Sequence, residues 1–159
     1  MSEENFPRLD ELFRASEGKP VNVGGRTVRM AYEIPIEEGG SSGFIFVRNF
    51  KCEPVQGICL EVKGGELEVN GVRHSGIVLW MDSAPREVDF RVTGRGEAGL
   101  SVWNCWRGRF GEREAWLGSA GLVCETRGRG RYKFSCSDGP GVMEFNAVEF
   151  DVTLHEGAE

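Results

Sequence analysis

The chain has 159 residues, 40% of them hydrophobic and 28% charged, the balance of a chain that buries a core and not of a disordered one. Its 19 Lys and Arg against 25 Asp and Glu leave a net charge of −6, which argues against duplex nucleic acid, whose binders present a basic face and often a basic pI. Glycine stands at 23 residues beside 6 prolines, about twice its ordinary ~7% share and without a collagen-like period, so many tight turns between short strands are expected.

The N-terminal Met1-Ser-Glu-Glu lacks the basic and apolar regions of a signal peptide. No apolar run reaches the roughly 18 residues of a membrane span. A cytoplasmic chain with no membrane partner is therefore expected, although a secreted chain stripped of its leader would read the same way. Residues 5–16 predict a short helix: Pro7 suits an early helical position, and Asp10 and Glu11 favour the first turn. Phe6, Leu9, Leu12 and Phe13 fall on one face, and Gly18 and Pro20 end the helix. Residues 1–20 are read as a helical arm docked on one β domain, residues 21–159.

Beyond residue 20 the period changes to two. Val28, Met30, Tyr32 and Ile34 alternate with polar neighbours over 27–34; Val88, Phe90 and Val92 do so over 87–92, and Val148, Phe150, Val152 and Leu154 over 147–155. Each reads as a strand with one face in the core and one in water, the habit of antiparallel sheets. Further strand-like runs cover 43–50, 58–63, 66–70, 72–81, 100–107, 113–125 and 131–136. Asn70-Gly71 between two of them is a strong hairpin signal. The glycine clusters at 39–43 and 94–99, with Asp82–Pro85 and Asp138–Gly141, read as turns. The expected fold is all-β: an antiparallel β-sandwich of jelly-roll type with a short N-terminal helix. This strand rhythm resembles that of jelly-roll binding domains, including galactose-binding-like modules; the resemblance extends to no motif.

The five cysteines, Cys52, Cys59, Cys105, Cys124 and Cys136, cannot all pair within one chain. They form no Cys-x-x-Cys and mostly lie in apolar runs, where a thiol acts as a small hydrophobe. Free thiols in a reducing compartment are the expectation, while Cys52 and Cys59 are near enough in sequence to admit a hairpin bridge.

The densest chemistry lies in residues 101–118, read as a hairpin turning near Phe110, with Asn104 opposite Trp116 and Trp103 opposite Leu117. Indole faces cover the apolar side of a sugar ring, while amide and guanidinium groups donate to its hydroxyls. Trp103, Asn104, Trp106, Arg107, Arg109 and Trp116 are the candidate ligand-binding residues. Tryptophans also fill cores, so at least one indole must stay open for this reading to hold.

Residues 107–133 carry seven basic against three acidic residues. An edge strand guarded by charge accounts for them; an anion-binding strip is the alternative.

Catalytic signals are thin. His74 and His155 lie far from metal-ligand spacing, so no metal or cofactor is expected. Gly39-Gly-Ser-Ser-Gly43 spells a nucleophile elbow around Ser41, but a strand follows it where the elbow needs a helix. Asp82 and Asp138 read as turn formers, with calcium binding a minor option. The expected function is a non-catalytic module for a glycan-like or other polar ligand. The alternatives are a protein-interaction or homo-oligomeric assembly component using edge strands or the helix, and a hydrolase on the same scaffold.

Overall fold

A computed structural model describes residues 8–155. The helix α1 (Leu9–Ala15) opens at Arg8 and carries Asp10 and Glu11 in its first turn, where acidic side chains offset the positive helix end. Phe6 and Pro7 lie outside the described residues. Leu9 and Phe13 are buried with Val28 and Val123, and Leu12 and Met30 pack around them. A helix of only 7 residues has little stability of its own, so it is this packing that holds it. Gly121 permits the close approach, since a Cβ there would lie 2.8 Å from Val28 and 2.9 Å from Leu9.

Strands β1 (Val21–Val23) and β2 (Arg26–Val28) form a small hairpin. Gly24 and Gly25 both take positive φ at its turn, and Asn22 Oδ1 accepts from the Gly25 N–H. Then follow β3 (Tyr32–Ile36), β4 (Ser41–Phe50), β5 (Gln56–Val69), β6 (Val72–His74) and β7 (Gly76–Trp80). The last described strands are β8 (Glu87–Arg107), β9 (Arg113–Glu114), β10 (Gly121–Thr126), β11 (Arg131–Ser137) and β12 (Val148–Leu154).

Ten of these strands join in one antiparallel sheet in the order β10-β11-β12-β4-β8-β5-β6, with β3 and β9 on β8 and β7 on β5. The 14-residue β5 and the 21-residue β8 run side by side through both halves of it. The first half of β8 pairs with β4 and the second with β3. The ribbon bends where the register shifts between Lys63 and Gly65. Side chains at Gly65 and Gly94 would collide with Thr93 and Ala98, so glycine is what lets the backbones close at this corner. Arg29 and Leu122 then exchange two backbone hydrogen bonds of 2.9 Å, tying the chain ahead of β3 to β10. The sheet thereby curls into a nearly closed, barrel-like form.

The all-β antiparallel class and the short helix agree with the sequence reading; a jelly-roll division into two sheets is not confirmed. Seven expected strands are joined or broken, the run 27–34 among them, which divides between Val28 and Tyr32. Residues 87–92 and 100–107 are one strand, because the intervening glycines serve a bend and not a turn. Residues 58–63 and 66–70 likewise merge into β5. The runs 72–81 and 113–125 instead break, at Ser75 and after Glu114. At Asn70-Gly71 both residues take positive φ and Val69 pairs with Val72, as the hairpin signal implied.

The core fills the curl. Ile34, Ile45, Ile58, Leu60, Leu67, Leu100, Leu122, Phe134 and Phe150 are all essentially inaccessible. The Phe134 and Phe150 rings stack at 4.9 Å. Each such side chain contributes about 1.5–3 kcal/mol through burial.

Candidate functional site

Strand β8 presents two rows. Val102, Asn104 and Trp106 point into the curl; Trp103, Cys105 and Arg107 point outward. Trp106 is only 2% exposed. Its ring lies so close to Gly139 that no side chain would fit there. It reaches the surface only where it lines a depression together with Glu114. Asn104 is equally buried, and its Nδ2 donates to the Ser137 carbonyl at 3.0 Å. Both are interior groups: a strand with apolar residues on each face does not reveal from sequence which face is the core.

The outward row is different. Trp103 is half-buried and stacks on Trp116 at 5.3 Å and 30°. Trp116 is 40% exposed and donates its indole N–H to the Met30 carbonyl at 2.9 Å. The expected pairing of Asn104 with Trp116 and of Trp103 with Leu117 does not form. β9 holds only the pairs Trp106–Glu114 and Arg107–Arg113. The strand then ends as Trp116 adopts a left-handed φ of +62°, a conformation unsuited to pairing and rare for bulky residues. Ile58 and Cys59 of β5 take the places opposite Asn104 and Trp103.

Arg107 lies over the Trp80 ring at 4.5 Å, and its Nη1 donates to Asp82 Oδ2 at 2.9 Å. Arg109 is exposed in the loop between β8 and β9. Together with Glu53, Pro54, Val55, Gly108, Glu114, Pro140 and the edge of Trp106, the two arginines line an open depression of about 660 Å³. Of the six candidates, three therefore meet at one depression, Trp103 and Trp116 pair on the outer face, and Asn104 stays inside.

Two groups escaped the sequence reading. Glu112 and Glu114 gather over Gly108, where a Cβ would lie 2.5 Å from the Glu112 carboxylate and 2.9 Å from the Glu114 carboxyl carbon. The hydrogen bond that the protonated Glu114 carboxyl donates to the Glu112 carboxylate raises Glu114 above the ordinary glutamate value, and the Glu112 charge adds to the effect. Glu112 moves the other way, held down by backbone N–H donors. Two carboxyls two residues apart beside a glycine were the available signal. The second group is a buried polar network. Gln56 Nε2 donates to the Pro54 carbonyl at 2.9 Å and to Asp138 Oδ2 at 3.0 Å, and Lys51 Nζ reaches the same carboxylate at 3.0 Å. Asp138 is thus the buried anchor of the loop beside the depression. Among the described residues, no group of three or more His, Cys, Asp or Glu is placed to hold a metal ion.

The basic stretch is spread out. Arg127, Arg131 and Lys133 line a second depression, of about 630 Å³, with Arg48, Tyr132, Asp151 and Thr153. Arg48 is held by Asp151 at 2.9 Å and Glu149 at 3.2 Å, and Arg127 by Glu125 at 2.9 Å. Interleaved carboxylates leave it the character of a solvated sheet face. His155 lies against Phe44 at 5.9 Å, and Ser41 is buried at the start of β4, a strand. No described helix is long and apolar enough to cross a membrane. No family model, curated protein or solved structure matches this chain.

Proposed function

We propose that the protein is a non-catalytic binding module for a glycan-like or other polar ligand, taken up in the depression at the β8–β9 turn. One observation carries the reading: Arg107 and Arg109 face Glu53 and Glu114 around a single open depression. Guanidinium groups only donate hydrogen bonds and carboxylates chiefly accept them. A neutral polyhydroxylated molecule, whose hydroxyls do both, matches that mixture better than a phosphate, which the two glutamates repel. The Trp106 edge forms part of the wall, while the Trp103–Trp116 stack lies on the outer face and is not among the residues lining the depression. Asn104 drops out of the proposed contact set, since its amide is engaged inside. The finer fold reading, with the two curled halves as the layers of a jelly roll, belongs to the same proposal. Buried thiols at Cys59, Cys105 and Cys136 support a reducing, cytoplasmic setting. A glycan array followed by isothermal titration tests the module: a sugar binding the native chain and lost on Arg109→Ala supports it, and an array silent at all positions contradicts it.

The second reading is a protein-interaction surface, and it too has an observation in its favour. Phe110 is 88% exposed, Val142 73% and Leu117 51%. The loops bearing Leu117 and Val142 are joined by hydrogen bonds from Ser119 to the Gly139 and Gly141 carbonyls. A mass by light scattering above that of one chain, reduced by Phe110→Ser with Val142→Ser, would favour this reading.

A further inference from the structure

Outside the depression, two nucleophilic side chains lie together with no part in the proposed binding. Cys59 on β5 and Cys105 on β8 point to the outer face of the sheet, diagonal to one another across the pairs Cys59–Trp103 and Gly57–Cys105. Their sulfur atoms are 3.2 Å apart. Diagonal neighbours on a sheet stand further apart than direct partners, and Gly57 is what closes the gap. A Cβ at Gly57 would lie 2.7 Å from Cys105 Sγ and 2.9 Å from the Trp80 ring, so the vacancy at that position is where the Cys105 thiol leans. Both thiols are buried, at 1% and 0% exposure. Beside Cys59 lies the side chain of Arg113, an exposed residue of β9, a strand of two residues paired with the end of β8. So short a marginal strand opens at small free-energy cost.

We propose that Cys59 and Cys105 form a reversible redox modification site, which a hydroperoxide converts into an intrachain disulfide. The Cys59 thiolate attacks one peroxide oxygen; the S–O bond forms, the O–O bond breaks, and the second oxygen leaves as water (or an alcohol) after taking up a proton. Cys105 sulfur then attacks the Cys59 sulfenic sulfur. The S–S bond forms, the S–O bond breaks, and the hydroxyl leaves as water with the Cys105 proton. The two thiols lose two electrons in all, and these reduce the peroxide. Cys59 is the attacking group because the Cys105 thiol donates to it and the Arg113 guanidinium lies beside it, both of which favour its thiolate. Cys124 and Cys136 lack this support: burial pushes the first up to about 12 and the second higher still. The exposed Cys52 has no thiol partner among these contacts, so the hairpin bridge from Cys52 to Cys59 gives way to this pairing.

The test treats the full chain, native and Cys52→Ser, with hydrogen peroxide, removes the excess, alkylates under denaturing conditions and maps the peptides by mass. The expected result is one linked pair of peptides carrying Cys59 and Cys105, short of two hydrogens and restored by dithiothreitol. Cys59→Ser and Cys105→Ser should each abolish the link, and Cys105→Ser should leave a sulfenic acid on Cys59 that dimedone traps. Arg113→Gln should slow formation of the link severalfold. If Cys59 and Cys105 both remain alkylatable after oxidation of Cys52, or if either links to another cysteine, the proposal is overturned. Separate irreversible oxidation of the two thiols would overturn it as well.

Discussion

The two rows of β8 are built from the same residue types and do opposite work. Inward, Trp106 and Asn104 are committed to the protein: one seals an end of the core, the other ties down the Ser137 backbone. Outward, Trp103 and Arg107 are only half-buried, and their partners, Trp116 and Asp82, are exposed. A tryptophan or an amide in a strand is thus no evidence of a binding surface until the face it occupies is known. Arg107 of the outer row and Arg109 in the loop that extends it are the ones placed to meet another molecule, with Trp106 contributing to the wall of the same depression.

This contrast can be broken most severely from the inside. Trp106→Ala should cost about 3–5 kcal/mol, the range for deleting a large aromatic from a packed core, read as a lowered midpoint in urea denaturation. Asn104→Ala should cost less, about 1–3 kcal/mol, since it leaves the buried Ser137 carbonyl without its donor. Arg109→Ala should move stability by no more than about 0.5 kcal/mol, as for an exposed loop residue, while ligand binding is lost. A comparable stability loss in all three variants would erase the distinction between the rows.

The smallest expected effect is one of pH. Glu114 titrates above the ordinary glutamate value because Glu112 lies beside it. Its folded value being raised, the proton it holds stabilises the folded turn in acid, and that contribution is lost as pH rises through the raised value. The indole N–H of Trp106, which lines the same depression as Glu114, should report this step in a nuclear magnetic resonance titration. Glu112→Gln should shift the step to lower pH; an unchanged midpoint would show that the two carboxyls do not interact.

Much of the fold was legible because period-two alternation and turn chemistry are local. Asn70-Gly71 names its own hairpin, and the alternation over 147–155 marks β12. The long strands were not legible, because a glycine cluster that permits a turn also permits two backbones to close at a bend. Gly94 and Gly65 do the latter, and only the partner strand reveals which. The candidate site was half-legible for a related reason. Arg107 and Arg109 stand at a turn that the sequence marks, and they reach the depression. The fate of Asn104 and Trp106 depends on Ser137, Gly139 and Gln56, which are distant in sequence and come together only through the curl of the sheet. Glu53 joins the same depression from the far side for the same reason.

The most direct test follows the indole N–H resonances of the four tryptophans while a sugar selected on the array is titrated into the native chain and into Arg109→Ala. A saturable shift of the Trp106 signal in the native chain, absent from the variant, is the predicted result. Indole signals that stay fixed in the native chain, or that shift equally in the variant, would contradict a ligand site at the β8–β9 turn.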